Sequence, residues 1–415
     1  MPSLEPLIVP SPLHAFTGYG IELEYMIVDA ASLKVQALAD RLLIDSQGQV
    51  VNELERGDLA WSNELVAHVI ELKTNGPADS LSPLGARFHR DIVDINRRLA
   101  EFSASLMPTA MHPMFKPALE TRLWQYGQNE IYAAYDRIFD CRGHGWSNLQ
   151  SMHINLPFYD DDEFRRLHAA IRVALPLIPA LSAASPLEEG RRSAWLNGRL
   201  AYYRNNQRVI PEISGPVIPE AVTGIDDYHA RILAPMYRAI GPHDPDNILA
   251  DDWLNSRAAI ARFERQTIEI RIIDLQECPA VDLAIAEAVV ALVQALYEER
   301  LGSFDAQQAI ATDALADQLW AAAADGGQAI LAAPGLAALL GLPEGLKLSE
   351  AWSSLLAGPL QTSPDAATCL ELILNQGSLA ERIVRTLGDT PDQPAIERVY
   401  RDLIECLASN RAYRP

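Results

Sequence analysis

The sequence predicts an α+β fold: a sheet with one apolar and one ionisable face, interleaved helices, and an all-helical region from residue 303 onward. Three observations carry this. Several short stretches alternate apolar and polar residues with period two, as half-buried strands do. Others repeat apolar residues at helical spacing. The strand-like stretches stop near residue 300. At roughly 100–200 residues per domain, 415 residues allow two or three domains, or one large core with appendages. We expect a domain over 1–302 and a helical region over 303–415.

The first element is "TGYGIELEYMIVD" (Thr17–Asp29). Ile21, Leu23, Tyr25 and Ile27 take one face, while Glu22, Glu24, Met26 and Val28 take the other. Two acids aimed the same way beside two apolar residues do not suit a face that only meets water. The anomaly recurs. In "HVIELKT", Glu71 opposes Ile70 and Leu72. In "MHINLPF", His153 and Asn155 oppose Met152, Ile154 and Leu156. In "TIEIRIIDL", Glu269 and Arg271 oppose Ile268, Ile270 and Ile272.

The helices follow from their own signals. Ser82–Leu106 opens on Ser-Pro and repeats Leu84, Phe88, Ile92, Ile95, Leu99 and Phe102. Asp160–Ser185 places acids in its first turn, at the positive end of the helix dipole, and Pro176 and Pro179 should kink or end it. Ala280–Gly302 is apolar nearly all round, as a buried helix is. Beyond Ser303, breaks such as "DGG", "APG" and "LGDTPDQP" divide an Ala/Leu-rich chain into short helices. The stretches "VIPEISGPVIPEAVTG" and "HDPDNILADDW" read as irregular segments near a site.

If the four strands pair, their second faces pool into a polar basin holding Glu22, Glu24, Glu71, His153, Asn155, Glu269 and Arg271, with Glu64 near a strand end. Carboxylates so close repel, and either protonation or a bound cation relieves them. Oxygen donors with little sulfur point to Mg2+ or Mn2+. The bland readings are a solvated sheet face, a buried structural histidine and a surface ion pair. The recurrence of one polarity on four separated strands argues for a shared functional basin instead.

The formal net charge of -21 argues against nucleic acid or an anionic membrane as partner. Cys141, Cys278, Cys369 and Cys406 lie far apart without a CxxC, which argues against a disulfide framework and fits a reducing cytoplasm. The first 16 residues lack the basic and apolar regions of a signal peptide. A soluble, cytoplasmic protein is the expectation. There is no Walker-type glycine loop.

"GIELEYMIVD", "NELVAHVIELKTN", "MHP" at Met111–Pro113, "MHINLPF", "IPALSAASPLEEG" and "IEIRIIDLQECPAVDLAIAEAVVAL" together resemble the glutamate–cysteine ligase family, in its bacterial carboxylate–amine ligase branch. The resemblance spans about residues 15–300. It implies a curved, mainly antiparallel sheet like that of glutamine synthetase, helices on its convex side, and an ATP-dependent ligase that forms an amide, such as a γ-glutamyl bond, through an acyl phosphate. It further implies Glu22, Glu24, Glu64, Glu71, His153 and Glu269 as metal ligands or close neighbours, Glu64 and Arg271 as catalytic, and Arg257, Arg262 and Arg271 toward ATP. Two segments look private to this chain, His112–Asn148 (with Trp124, Tyr126, Gln128 and Asn129) and Trp195–Gly215. Tyr126, Asn129 and Arg204 from these, with Asn155, are expected to line the substrate pocket. The expected partners are an amino acid and an amine, with the chain as a homodimer. A guanidino kinase on a similar sheet and a non-catalytic binding protein are the rival readings.

Overall fold

The computed structural model describes residues 12–127 and 129–415; Gln128 and most of the segment inspected for a signal peptide lie outside the described residues. The described residues form ten strands: β1 (Gly20–Asp29), β2 (Glu53–Arg56), β3 (Leu59–Asn63), β4 (Val69–Thr74), β5 (Ala104–Met107), β6 (Ser151–Pro157), β7 (Leu187–Glu188), β8 (Arg191–Arg192), β9 (Ala259–Arg262) and β10 (Thr267–Asp274). Eight build one sheet in the order β2-β3-β4-β1-β6-β10-β9, with β5 paired along the far end of β1, while β7 and β8 form a small hairpin. Every pairing in the large sheet is antiparallel. The four strands with a polar face are therefore neighbours, β4-β1-β6-β10.

Their apolar faces make the main core. Ile21, Leu23, Tyr25 and Ile27 of β1, Ile70 and Leu72 of β4, Met152, Ile154 and Leu156 of β6, and Ile268 and Ile270 of β10 join one buried cluster. Helix Leu84–Leu99 brings Phe88, Ile92 and Ile95 to it, and helix Pro279–Tyr297 brings Ile285, Val289 and Leu292. Fully burying such a side chain is worth about 1.5–3 kcal/mol, so this layer holds the sheet. Helix Pro279–Tyr297 is long and apolar enough to cross a membrane by composition, yet 14 of its 19 residues are buried within the fold.

The predicted helix boundaries are met where a cap or proline sets them. Asp160 accepts a hydrogen bond from the Glu163 backbone N–H at 2.9 Å and starts helix Asp161–Ala174. That helix stops before Pro176, tightens to a 3-10 turn over Leu175–Leu177 and restarts at Pro179. One expectation fails. The helix expected to reach Leu106 ends at Leu99, Ser103 adopts φ 55°, and Ala104–Met107 becomes β5. The outer half of β1 runs beyond β6, and β5 supplies the backbone partners that its exposed edge requires.

The apolar end of the polar face has its own cover. Met26 and Val28 join a second buried cluster with Val69, Met107, Leu379, Ile383, Ile396, Tyr400 and Leu403. Helices Leu379–Leu387 and Gln393–Ser409 thus close half of that face and leave the acidic half open. A buried ion pair ties them down: Arg382 Nη1 is 2.8 Å from Glu277 Oε1, and both side chains are 0% exposed. The Tyr413 backbone N–H donates to the same carboxylate oxygen at 2.9 Å. The apolar core therefore runs across position 303, since Leu315, Leu319, Leu336 and Trp352 belong to the main cluster.

Removing one partner of a buried pair leaves a charge uncompensated, which costs about 3–5 kcal/mol. Arg382→Met should lower the unfolding free energy by that order in urea denaturation. A chain ending at residue 302 should show no cooperative melt by circular dichroism. A fragment that melts like the whole chain would support a domain boundary at 302.

Candidate active site

The strand register builds the basin row by row. One row runs Glu53–Ser62–Glu71–Glu24 across β2, β3, β4 and β1. The next runs Glu55–Ala60–Lys73–Glu22–His153, adding β6. A third runs Gly20–Asn155–Glu269–Ile260 across β1, β6, β10 and β9. Gly20 is required in this row, because a Cβ there would lie 2.9 Å from that of Asn155.

His153 sits among the acids. Its Nδ1 lies 2.8 Å from Glu22 Oε2 and 3.7 Å from Glu269 Oε1, and its Nε2 lies 3.8 Å from Glu24 Oε1. Nε2 is also 2.9 Å from Ser151 Oγ, whose hydroxyl reaches Glu24 Oε2 at 3.0 Å. Burial disfavours the imidazolium, but the Glu22 hydrogen bond and the surrounding carboxylates outweigh it and raise its pKa to about 9. Burial likewise pushes Glu22 upward, and His153, Arg265 and Lys73 reverse this, so Glu22 ends below the usual carboxylate range.

The acids farther from His153 behave oppositely. Burial and the Glu22 charge raise Glu71 to about 7, although Lys73 and the Ser62 hydroxyl oppose the rise. Burial, Glu24 and Glu71 hold Glu64 well above its ordinary value. Without a cation, the basin carries protons in its place.

On the other flank, Glu269 holds two arginines. Arg262 Nη1 donates to Oε2 at 3.0 Å, and Arg271 Nε lies 3.0 Å from Oε1. Arg271 occupies a β-bulge. Ile270 pairs with Ile154 and Ile273 with Met152, so β10 carries one extra residue there. The bulge lets Ile270, Ile272 and Ile273 all enter the core while Arg271 stays in the basin with its side chain 25% exposed. Strict alternation over the whole stretch, as read from the sequence, ends at this point. Below it, Asp274 accepts from Arg199 Nε, Ser185 Oγ and the Ala184 N–H at 2.7, 2.7 and 2.9 Å, which anchors the "LSAASP" turn to β10.

Two groups of three side chains could each hold a divalent ion: Glu22, His153 and Glu269, and Glu24, Glu71 and His153. Within each group the ligand atoms lie within 4.8 Å of one another. These residues fit Mg2+ or Mn2+, since carboxylate oxygens dominate and the excess acids hold protons that a cation would displace. Glu64 stands beside them without joining either group.

The sequence pattern of glutamate–cysteine ligase family 2 matches residues 19–402. The chain belongs to this family. An uncharacterized protein from Archaeoglobus fulgidus is 31% identical over 394 residues, covering 95% of this chain and 99% of that one. A Bradyrhizobium protein named "Putative glutamate–cysteine ligase 2" is 27% identical over 292 residues, which is 68% of this chain and 62% of that protein's length. Among solved structures, glutamate–cysteine ligase from Francisella tularensis in complex with AMP matches with a TM-score of 0.59 at 12% identity, over 94% of this chain and 89% of that one. The last likeness concerns the fold alone.

Not every residue expected at the site reaches it. Glu22, Glu24, Glu64, Glu71, His153, Asn155, Glu269, Arg262 and Arg271 do. Arg257 does not: its guanidinium is buried against Glu220 at 2.6 and 2.7 Å and bonds Asn255 and the backbone carbonyls of Glu212 and Ile213. Held in this way, it braces a loop away from the basin. Tyr126 is exposed and donates to Asp40 at 3.1 Å. Asn129 is an exposed residue at the start of helix Asn129–Phe139. Arg204 is also exposed and lies over the Trp320 ring at 4.8 Å.

Neighbours of these residues take the inward positions. The Tyr132 hydroxyl accepts from Asn63 Nδ2 at 2.9 Å, and burial, with the charges of Glu64 and Glu71, raises its pKa. Tyr135 and Tyr203 both lie close enough to Arg271 to couple with it. Lys73 and Ser151 were also missed, though each lies two residues from a chosen one, and period two alone would have found them.

The pH dependence follows from Glu71. Below about pH 4.5 it is protonated in both folded and unfolded chains. As pH rises toward 7 the folded state keeps a proton that the unfolded state releases, so stability falls. In metal-free protein, Glu71→Gln should leave the melting temperature unchanged near pH 4 and raise it near pH 8, by scanning calorimetry. A lower melting temperature at pH 8 would make the carboxylate a stabilising partner.

Proposed function

We propose that the protein is an ATP-dependent carboxylate–amine ligase that joins an amino acid to an amine through an acyl phosphate. The observation that carries this is the basin itself. Four carboxylates and an imidazole, in two cation-sized groups, face an arginine held on a bulge of the same sheet. Family membership supports the reaction class, and the AMP in the Francisella ligase structure supports a nucleotide as co-substrate.

The reaction has two steps. A carboxylate oxygen of the acid attacks the γ-phosphorus of ATP, the bond to the β-γ bridging oxygen breaks, and ADP leaves. The amine then attacks the acyl carbon, phosphate departs, and the amide nitrogen loses a proton. Divalent ions on the two groups would neutralise phosphate oxygens during the first step.

Arg271 has a separate task. Its Nη1 donates to the Asn255 carbonyl at 3.2 Å and its Nε faces Glu269, so the guanidinium is fixed before substrate arrives. Burial disfavours its charge, but Tyr203, Glu269 and the other acids hold it firmly cationic. A fixed, permanent cation suits the charge that gathers on a phosphoryl group in transfer.

The test is a screen of amino acids paired with amines, with ATP and Mg2+, that reads ADP release and product mass together. An amide product with matching ADP is expected. A phosphorylated product without amide would mean a phosphotransferase instead. In the productive pair, Arg271→Lys should lower kcat by about 10²–10³, the typical loss for a fixed transition-state contact. Parent-level turnover in that variant would remove Arg271 from the phosphoryl step.

A further inference from the structure

A cleft of 440 Å³ opens at the Glu22 end of the basin, bounded by the start of β1, the end of β4 and the β9–β10 turn. Tyr19, Pro77 and Pro157 give it an apolar surface, Glu264, Arg265 and Gln266 of the β9–β10 turn a polar one, and Glu22, Asn155 and Lys73 also line it, with Arg265 3.9 Å from Glu22. Lys73 stands at the junction. It is the cross-strand neighbour of Glu22 on one side and of the small Ala60 on the other.

The residue choice is unusual for this chain. It has only four lysines among 34 basic residues, at positions 34, 73, 116 and 347, and uses arginine elsewhere. Arginine makes rigid two-pronged contacts, whereas an ammonium is a compact charge on a flexible stem, able to follow a phosphate chain. The present partners of Lys73 do not lock it. Nζ lies 2.6 Å from Glu53, a carboxylate 48% exposed on the edge strand, and 3.7 Å from Glu71. The Glu53 end of the pair is open to solvent, which screens the attraction.

We infer that Lys73 is a phosphate-binding residue: a nucleotide seats its base against the apolar wall of this cleft, and Lys73 leaves Glu53 to contact the phosphate chain as it passes into the basin. Cations on the Glu22 side and Lys73 on the β4 side would then hold the chain from two directions. This rests on the proposed ATP-dependent function and adds a residue to it.

The test is nucleotide affinity by calorimetry with Mg2+, without any acid or amine, so that turnover is not the readout. In the parent protein, affinity should rise from AMP through ADP to ATP. Lys73→Met should weaken ATP about ten- to a hundredfold, the range for a lost charged hydrogen bond, and leave AMP nearly unchanged. Lys73→Arg should recover part of the loss. Equal ATP affinity in Lys73→Met and parent would overturn the inference and leave Lys73 as a counter-ion of Glu53 and Glu71. A uniform loss for all three nucleotides in a folded Lys73→Met would also overturn it, as damage to the cleft. If the parent binds no nucleotide with Mg2+, the proposed function itself falls.

Discussion

Everything at the site depends on keeping Glu22, Glu24, Glu71 and Glu269 together on one face of one sheet. Carboxylates crowded like this can stay charged only beside cations, and the fold supplies three kinds. His153 takes the centre, with Glu22 2.8 Å away and Glu269 3.7 Å away. Arg262 and Arg271 hold Glu269 from the side. Lys73 serves the β4 edge. Where no cation is close enough, as at Glu64, the carboxyl stays protonated instead. The same imbalance that costs stability without metal is what favours a divalent ion when one arrives.

Buried polar anchors outside the basin brace the strand that carries Arg271. Asp274 gathers Arg199, Ser185 and Ala184 at the end of β10, directly after the bulge that aims Arg271. Glu277, three residues later, holds Arg382 and the C-terminal tail. One strand and the turn after it therefore connect the Arg271 end of the basin to helices that lie more than a hundred residues away in sequence. Those helices in turn cover Met26 and Val28, which explains why a strand that begins with two functional acids ends with two apolar residues on the same face.

The site was legible where it lies on regular strands and obscure where it lies in loops. Period two placed Glu22, Glu24, Glu71, His153, Asn155, Glu269 and Arg271 on their faces, because side chains of a strand must alternate. The same rule offered Lys73 and Ser151. In the private segments it offered nothing: Tyr126, Asn129 and Arg204 are exposed, whereas Tyr132 bonds Asn63 beside Glu64. Arg257 failed for a related reason. Its partner Glu220 lies 37 residues away on an irregular loop, and no local pattern signals such a pairing.

By itself, then, the sequence determined which strands carry chemistry and which face of each carries it, since both follow from local alternation and composition. Tertiary structure alone decided the order β4-β1-β6-β10, the register that sets Lys73 opposite Glu22 and Ser62 opposite Glu71, and the bulge at Arg271. It also decided that helices beyond residue 303 close one end of the basin face. Each of these is a contact between residues distant in sequence, selected by the joint packing of both sheet faces, and no single stretch of chain contains that information.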